Sequence, residues 1–251
     1  MNERAREPRG GERMICGLQP VREAIRAHGS KLERVLVARE PREAPQMEAL
    51  ARFAGDHGAA VERVARADLD RMARGVSHQG VIAFAAALRL VGADDLVLDD
   101  TTLVVALDEV QDPQNFGAVI RAAVAMGATA VMWPEHRSAP LSPAAFRASA
   151  GSVEHATLCR VPSLPPALTK MRAAGVCVVG LDMAGDVAID HVPLKRGVVL
   201  AVGAEGKGLR KTVKSVCDVL ARLPMPGPID SLNASTAAAI ALYEAVRQRS
   251  L

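Results

Sequence analysis

The chain has 251 residues, 49% of them hydrophobic and 24% charged, which is an ordinary globular composition with room for two modest domains. The formal net charge is only +3, and aromatic residues make up 2% of the chain. The low aromatic content excludes a protein that binds single strands by stacking bases on aromatic platforms. No apolar run reaches the roughly 18 residues needed to span a membrane, so no membrane partner is expected.

The positive charge is concentrated in the first part of the chain. Residues 1–90 carry 16 Lys and Arg against 12 Asp and Glu, whereas residues 91–251 carry 15 against 16. Fifteen of the first 16 cations are arginine, which suits bidentate contacts with phosphate. An arginine-rich surface that only meets solvent is the alternative, and charge alone does not exclude it.

The cysteines and the first residues indicate the compartment. Cys16, Cys159, Cys177 and Cys217 form no C-x-x-C pair and have no zinc-site spacing, so we predict reduced thiols and no metal. The first residues, MNERAREPRGGER, are charged and lack an apolar segment, so we expect no signal peptide. Residues 1–13 are predicted to be a flexible basic tail of a cytoplasmic protein.

The first half of the chain alternates helices and strands and predicts a small α/β domain over residues 14–88. Helices are predicted at 18–27, 46–57 and 67–74, and strands at 32–38, 60–64 and 81–88. His78, in the segment Ser77–Gly80, is interpreted as the structural entry to the last strand and not as a catalytic residue.

A short, small and acidic stretch predicts a linker over residues 89–100, followed by a second domain over 101–251. Continuous apolar runs there predict strands at 103–107, 130–133, 156–160, 176–181, 198–202 and 219–223. Helices are predicted between most of them, including one at 209–217 and a last one from about 231 to 248. This alternation favours a parallel sheet that is covered on both faces.

Two loops of Gly, Pro and small polar residues follow the last two of these strands. Gly203, Gly206 and Gly208 lie in the first loop, but neither the Walker A pattern nor G-x-G-x-x-G is present. A tight strand-to-helix turn therefore explains these glycines as well as a ligand does. Loops at the carboxyl ends of parallel strands are nevertheless the usual ligand sites of such sheets.

Three spaced motifs are more specific than any one of them. They are NFGAVIR at 115–121, GAEGKGL at 203–209 and LPMPGPIDSLNAS at 223–235. Together they resemble the motifs of the SpoU (TrmH-type) branch of the SPOUT RNA methyltransferases, over nearly the whole chain. Within that branch, the chain is most similar to the enzymes that methylate a guanosine 2'-hydroxyl of 23S ribosomal RNA.

The resemblance implies a fold and partners that the residues alone do not. It implies an N-terminal domain related to ribosomal protein L30e that binds RNA, and a parallel-sheet domain that ends in a trefoil knot. It also implies S-adenosylmethionine as methyl donor, no metal, and a homodimer with the sites near the dimer interface.

The same resemblance implies a role for individual residues. Its cofactor residues fall here on Gly203, Glu205, Gly206, Leu223, Pro224, Met225, Ser231 and Leu232. Core packing is the alternative for the side chains of Leu223 and Leu232, whereas the implied cofactor contacts are made by the backbone.

The implied catalytic residues are Asn115, Arg121, Glu205, Ser231 and Asn233. Because a guanidinium stays protonated in proteins, Arg121 is expected to bind a phosphate and stabilise a developing alkoxide. Ser231 is also interpreted as the N-cap of the last helix. Asp108, Glu109 and Asp112 are interpreted as a surface turn at a strand end and not as a metal cluster.

These expectations lead to one function and several alternatives. The function is methylation of a ribose 2'-hydroxyl in RNA, most specifically at a guanosine of 23S ribosomal RNA. The alternatives are a tRNA 2'-O-methyltransferase and a non-catalytic RNA-binding factor of ribosome assembly. A nucleotide-dependent enzyme is disfavoured, since the glycine loop lacks the Walker A context.

Overall fold

The computed structural model describes residues 12–39, 44–228 and 231–250. These residues form two compact units, one from the described part of 12–88 with 150–155 and one from the described part of 89–149 with 156–250. The predicted flexible tail lies mostly outside the described residues. The predicted end of the tail at residue 13 is corrected, because Glu12 and Arg13 belong to the first strand.

The first unit is a four-stranded mixed sheet with helices on both faces. Its elements are β1 (Glu12–Cys16), α1 (Leu18–His28), β2 (Arg34–Ala38), α2 (Ala44–Asp56), β3 (Val61–Val64), α3 (Arg66–Ala73) and β4 (Val81–Ala86). The strand order is β1-β4-β2-β3, in which only β2 and β3 are parallel. One core contains Val21, Ile25 and Met47 from α1 and α2, and a second core under α3 contains Leu69 and Phe84.

The second unit is built around an eight-stranded sheet. Its strands are β5 (Leu90–Val91), β6 (Leu103–Asp108), β7 (Ala130–Pro134), β8 (Leu158–Val161), β9 (Cys177–Leu181), β10 (Val187–Ala188), β11 (Val198–Gly203) and β12 (Val219–Arg222). Its helices are α4 (Pro113–Ala125), α5 (Pro143–Ala148), α6 (Leu164–Ala173), α7 (Lys211–Lys214) and α8 (Ala234–Arg249). All neighbouring strands are parallel, which confirms the predicted parallel sheet.

Several helices and strands differ in their observed bounds from the predicted ones. Leu90–Val91, inside the predicted linker, pairs with β8 and is therefore part of the sheet. The helix predicted at 209–217 is reduced to Lys211–Lys214, because Arg210 has an extended backbone and caps it. No bounds were predicted for the helix α5, although Ser142 and Pro143 supply a capping residue and a first-turn proline.

The strand order explains where a site can form. The central strands follow the order β12-β9-β11-β6, so the loops that leave their carboxyl ends lie side by side at one edge of the sheet. The last helix, α8, is fixed near its end by Gln248 and Arg249, which donate hydrogen bonds to the carbonyls of Val192 and Leu194. The trefoil knot stays a prediction from the resemblance. None of the helices in the described ranges is both long and apolar enough to cross a bilayer.

Candidate active site

A first cleft, called cleft A, opens where the loops after β9, β11 and β12 meet the start of α8. All the residues predicted to bind a cofactor, except Pro224, line this cleft. Its lining consists of Leu181, Asp182, Met183, Val202, Gly203, Ala204, Glu205, Gly206, Lys207, Gly208, Lys214, Ala221, Leu223, Met225, Ser231, Leu232, Ala234 and Ala237. Two of the three sequence motifs, 203–209 and 223–235, thus line a common space.

The loop after β11 is folded tightly back on itself. The backbone N–H of Gly208 donates to the carbonyl of Ala204 at 2.9 Å, and Gly206 and Gly208 have φ angles of +71° and +64°, which favour glycine. A Cβ on Gly203 would lie 2.1 Å from the carbonyl carbon of Gly208. The glycines are therefore required by the turn itself, and the turn leaves backbone groups facing cleft A.

Asp182 and Lys214 are charged residues of cleft A that the sequence analysis did not single out. Lys214 Nζ contacts Asp182 Oδ2, and the Ala184 N–H donates to Asp182 Oδ1 at 2.9 Å. Burial alone would raise the pKa of Asp182, but these two hydrogen bonds outweigh it and lower the pKa below its usual value. Asp182 follows β9 directly, and that position at a strand end was the available signal.

A second cleft, called cleft B, adjoins cleft A. It is lined by Glu109, Val110, Gln111, Asp112, Asn115, Ala204, Glu205, Lys207 and Ala234. Ala204, Glu205, Lys207 and Ala234 line both clefts. The exposed side chain of Glu205 therefore lies at the boundary between the two spaces.

Two asparagines from distant motifs meet beside cleft B. Asn233 Nδ2 donates to Asn115 Oδ1 at 2.6 Å, across 118 residues of sequence. Asn115 is 5% exposed, and its own amide nitrogen makes no hydrogen bond with a described residue. The Asn115 amide is therefore held in one orientation and can donate a hydrogen bond into cleft B.

The caps of the two helices orient this pair. Asp112 caps α4 by accepting from the backbone N–H of Gln114 and Asn115. Asn233 caps α8 by accepting from the backbone N–H groups of Ser235 and Thr236. The interpretation of Ser231 as the N-cap of the last helix is therefore wrong. Ser231 lies three positions before the first residue of α8 and lines cleft A.

Asp108 is not the surface residue that the sequence analysis expected. It is 0% exposed, and Arg210 contacts its Oδ1 through Nε at 2.7 Å and Nη2 at 2.6 Å. The sequence did not reveal this partner because Arg210 is 102 residues away. Among the residues that the structure describes, no three His, Cys, Asp or Glu side chains are arranged to hold a metal ion.

Arg121 lies apart from both clefts. It lies six positions after Asn115 on α4, which places it about 9 Å further along the helix and about 120° around it. Its side chain is exposed and makes no hydrogen bond or ion pair with any described residue. Within one chain, Arg121 is therefore not brought together with the other predicted catalytic residues.

Comparison with known proteins identifies the family of this chain. The sequence matches the SpoU rRNA methylase family over residues 102–243. The chain belongs to this family. Residues 14–91 match the substrate-binding domain of RNA 2'-O ribose methyltransferases. The second unit is thus that of a SpoU RNA methyltransferase, and the N-terminal match is to an RNA substrate-binding domain.

Individual relatives with related descriptions are similar to this chain over most of its length. A protein of Mycobacterium ulcerans described as an uncharacterized tRNA/rRNA methyltransferase is 39% identical over 239 residues, which cover 94% of this chain and 77% of the relative. The SpoU methyltransferase AviRb of Streptomyces viridochromogenes, solved with AdoMet, has a TM-score of 0.77 and 29% identity, covering 96% of this chain and 91% of that one. An AdoMet-bound rRNA methyltransferase of Sinorhizobium meliloti has a TM-score of 0.75, 30% identity and coverages of 94% and 87%.

Proposed function

We propose that this SpoU RNA methyltransferase transfers a methyl group from S-adenosylmethionine to the 2'-hydroxyl of a guanosine in 23S ribosomal RNA. The observation that carries the proposal is the pair of adjoining clefts that share Glu205 and its neighbours. One cleft suits the methyl donor and the other suits the ribose. The reacting atoms would meet at the shared wall.

The residues of cleft A fit S-adenosylmethionine. Leu223, Met225 and Leu232 offer an apolar surface for a flat base, and Met183 lies beside them. The Asp182 carboxylate, with its lowered pKa, is ionised at neutral pH and suits hydroxyl or ammonium groups. When bound, the cofactor supplies a methyl group on a sulfonium, which is itself a good leaving group.

The residues of cleft B position the ribose. Asn115 is fixed by Asn233, so its free amide N–H can donate to a ribose or phosphate oxygen with little loss of side-chain freedom. Glu205 borders both clefts and can accept a hydrogen bond from the 2'-hydroxyl. Holding the hydroxyl in line with the methyl group is the main contribution that these residues make to the rate.

Arg121 would come from a second copy of the chain in a homodimer. Its position outside both clefts supports this, and so does an apolar surface on α8, which packs against α4. Tyr243 is 57% exposed and Ile240 41% exposed on one face of that helix. Burial of such side chains against a partner is favourable. Arg121 of the partner subunit would then bind the phosphate next to the target and stabilise the alkoxide that forms on the 2'-oxygen.

The RNA target is assigned from the resemblance to the RlmB-type 23S ribosomal RNA enzymes. The N-terminal residues 14–88 would form the L30e-like domain that binds the RNA, using arginine and shape in place of stacked aromatic residues. Ribosomal RNA as substrate places the enzyme in the cytoplasm. A tRNA is the second candidate target, since the relatives are described as tRNA/rRNA methyltransferases. A non-catalytic assembly factor is disfavoured, because the chain retains the residues expected to be catalytic: Asn115, Arg121, Glu205 and Asn233.

The test is a map of ribose methylation in all ribosomal and transfer RNAs of cells with and without the gene. Resistance of the adjacent phosphodiester bond to alkali identifies each 2'-O-methyl group. We expect one guanosine of 23S ribosomal RNA to lose its methyl group, and to regain it when the wild-type protein, but not a Gly203→Ala variant, is expressed. An unchanged ribosomal RNA with a change in tRNA would support the second target. No change in any RNA would contradict the proposed function.

A further inference from the structure

Asp108 lies beside the first end of the loop between β11 and α7, residues 204–209, and binds the second end. At the first end, Gly203 pairs with Asp108 in the register of β11 and β6. At the second end, the backbone N–H of Arg210 donates to Asp108 Oδ2 at 2.8 Å, and the Arg210 side chain binds Asp108 Oδ1. One residue of the neighbouring strand therefore closes the loop.

The chemistry of this pair requires an arginine. A wholly buried carboxylate is unfavourable unless it is neutralised and its oxygens are bonded. Arg210 supplies two contacts to Oδ1 from its planar fork, whereas a lysine could supply only one at a time. Arg210 Nη1 also lies 3.3 Å from Oε1 of Glu109, which lines cleft B.

The loop that is closed in this way is the wall between the two clefts. It carries Glu205 and Lys207, which line both clefts, while Asp108 and Arg210 line neither. Four of its six residues, Glu205, Gly206, Lys207 and Gly208, are exposed and so are not held by packing. The shape of this wall must therefore come from the two ends of the loop and from the glycines.

We propose that Asp108 and Arg210 are positioning residues that hold loop 204–209 in the shape that binds the methyl donor. This inference rests on the proposed function. The pair lines neither cleft, and acts by reducing the number of conformations that the free loop can adopt. Loss of the pair should therefore weaken donor binding more than it slows methyl transfer at saturating donor.

The chain offers a control in a second Arg–Asp pair of the same unit, which is more exposed to solvent than the first. Arg172 Nε lies 2.7 Å from Asp218 Oδ1, and Asp218 Oδ2 accepts from the backbone N–H of Val178 at 2.8 Å. Neither Arg172 nor Asp218 lines cleft A or cleft B. Arg172→Lys is thus a similar change at a pair that is not connected to the loop.

The experiment compares full-length Arg210→Lys and Arg172→Lys with the wild type. Calorimetry measures the Kd for S-adenosylmethionine, and single-turnover assays at saturating donor measure methyl transfer. For Arg210→Lys we expect a Kd at least ~10-fold higher, the scale of losing one hydrogen bond to a charged group, and transfer within about threefold of wild type. Arg172→Lys should leave the Kd unchanged. Equal Kd values for all three proteins would overturn the inference.

Hydrogen exchange without donor separates this inference from the proposed function. Amides 204–209 should exchange faster in Arg210→Lys than in the wild type, while those of β6 and β11 stay protected. Unchanged exchange of the loop would overturn the inference even if the protein binds the donor. A wild type that binds no donor would contradict the proposed function, and the loop amides would still show whether the pair fixes the loop. If Arg210→Lys folds poorly, Asp108→Asn gives the same test without an uncompensated buried charge.

Discussion

Cleft A and the ribose side of the site are built in different ways. Cleft A is lined by loops that follow adjacent strands of one sheet, and glycines let their backbone groups form its wall. The ribose side depends on side chains: Asn115 is oriented by a residue 118 positions away, and Arg121 lies outside both clefts. In our proposal, cleft A is therefore formed within one chain, whereas the ribose side needs long-range contacts and a second chain.

Of the changes that test this difference, Gly203→Ala is expected to have the largest effect, on donor binding to cleft A. The new Cβ would lie 2.1 Å from the backbone of Gly208, so the loop must move. We expect the Kd for S-adenosylmethionine to rise at least ~100-fold, the upper range of overpacking costs, and turnover to be lost with it.

Gly227→Ala is the matched control in the other loop, because a Cβ there meets no atom within 4 Å. It should bind the donor like the wild type. Calorimetry on both variants checks this prediction, and donor binding by Gly203→Ala at wild-type affinity would show that the tight turn is not needed.

The next largest effect is expected from Arg121→Ala, which should change only the ribose side. Turnover should fall at least ~10²-fold, the scale of losing one donor that stabilises an oxyanion. The Kd for S-adenosylmethionine should stay the same, since Arg121 lines neither cleft. Arg121→Lys should restore part of the turnover, because lysine keeps the charge but loses the planar fork.

Single-turnover methylation of ribosomal RNA, together with donor titration, measures both quantities. Lys195→Ala removes another exposed cation of the same unit and serves as the control. Near-wild-type turnover in Arg121→Ala would assign Arg121 to the helix surface alone.

A smaller effect is expected from Asn233, which both caps α8 and orients Asn115. Asn233→Ala loses both roles, so we expect about 1 kcal/mol less stability and turnover lower by about 10-fold. Serine is an equally good cap but is too short to reach Asn115. Asn233→Ser should therefore recover the Tm and not the turnover. Recovery of both would mean that the contact with Asn115 is unimportant.

The smallest effect is expected from chelators, which should leave donor binding unchanged. The methyl group's bond to the sulfonium breaks to leave a neutral thioether, which needs no metal, and cleft A offers backbone groups and the bonded Asp182 carboxylate for binding. Calorimetry with and without EDTA measures the difference. A large loss of affinity in EDTA would contradict our account of cleft A.

The sequence predicted the features that are determined locally. Continuous apolar runs such as Val198–Val202 predicted the parallel strands, and the glycines and prolines predicted the loops around cleft A. The short strands β1, β5 and β10 were missed, because two to five residues carry little periodic signal and their pairing partners lie far away in the chain.

Side-chain partners were the other part that the sequence did not predict. Asp108 was interpreted as part of a surface turn. Its buried ion pair was not predicted, because its partner, Arg210, lies 102 residues later. Ser231 was interpreted as the helix cap, whereas Asn233 is the cap, because the backbone becomes helical only at Ala234 and the residue types do not decide where that happens. A motif thus indicates which residues matter before the fold shows what they contact.

The most direct test of the two-chain site is to form mixed dimers of two inactive chains. Chains with Arg121→Ala and chains with Gly203→Ala are co-expressed with different affinity tags and purified through both. If Arg121 acts on the partner's site, one site of each mixed dimer combines an intact loop 204–209 with an intact Arg121, and RNA methylation returns to about half the wild-type rate per dimer. Mixed dimers that stay as inactive as either parent, or a chain that forms no dimer, would contradict the account.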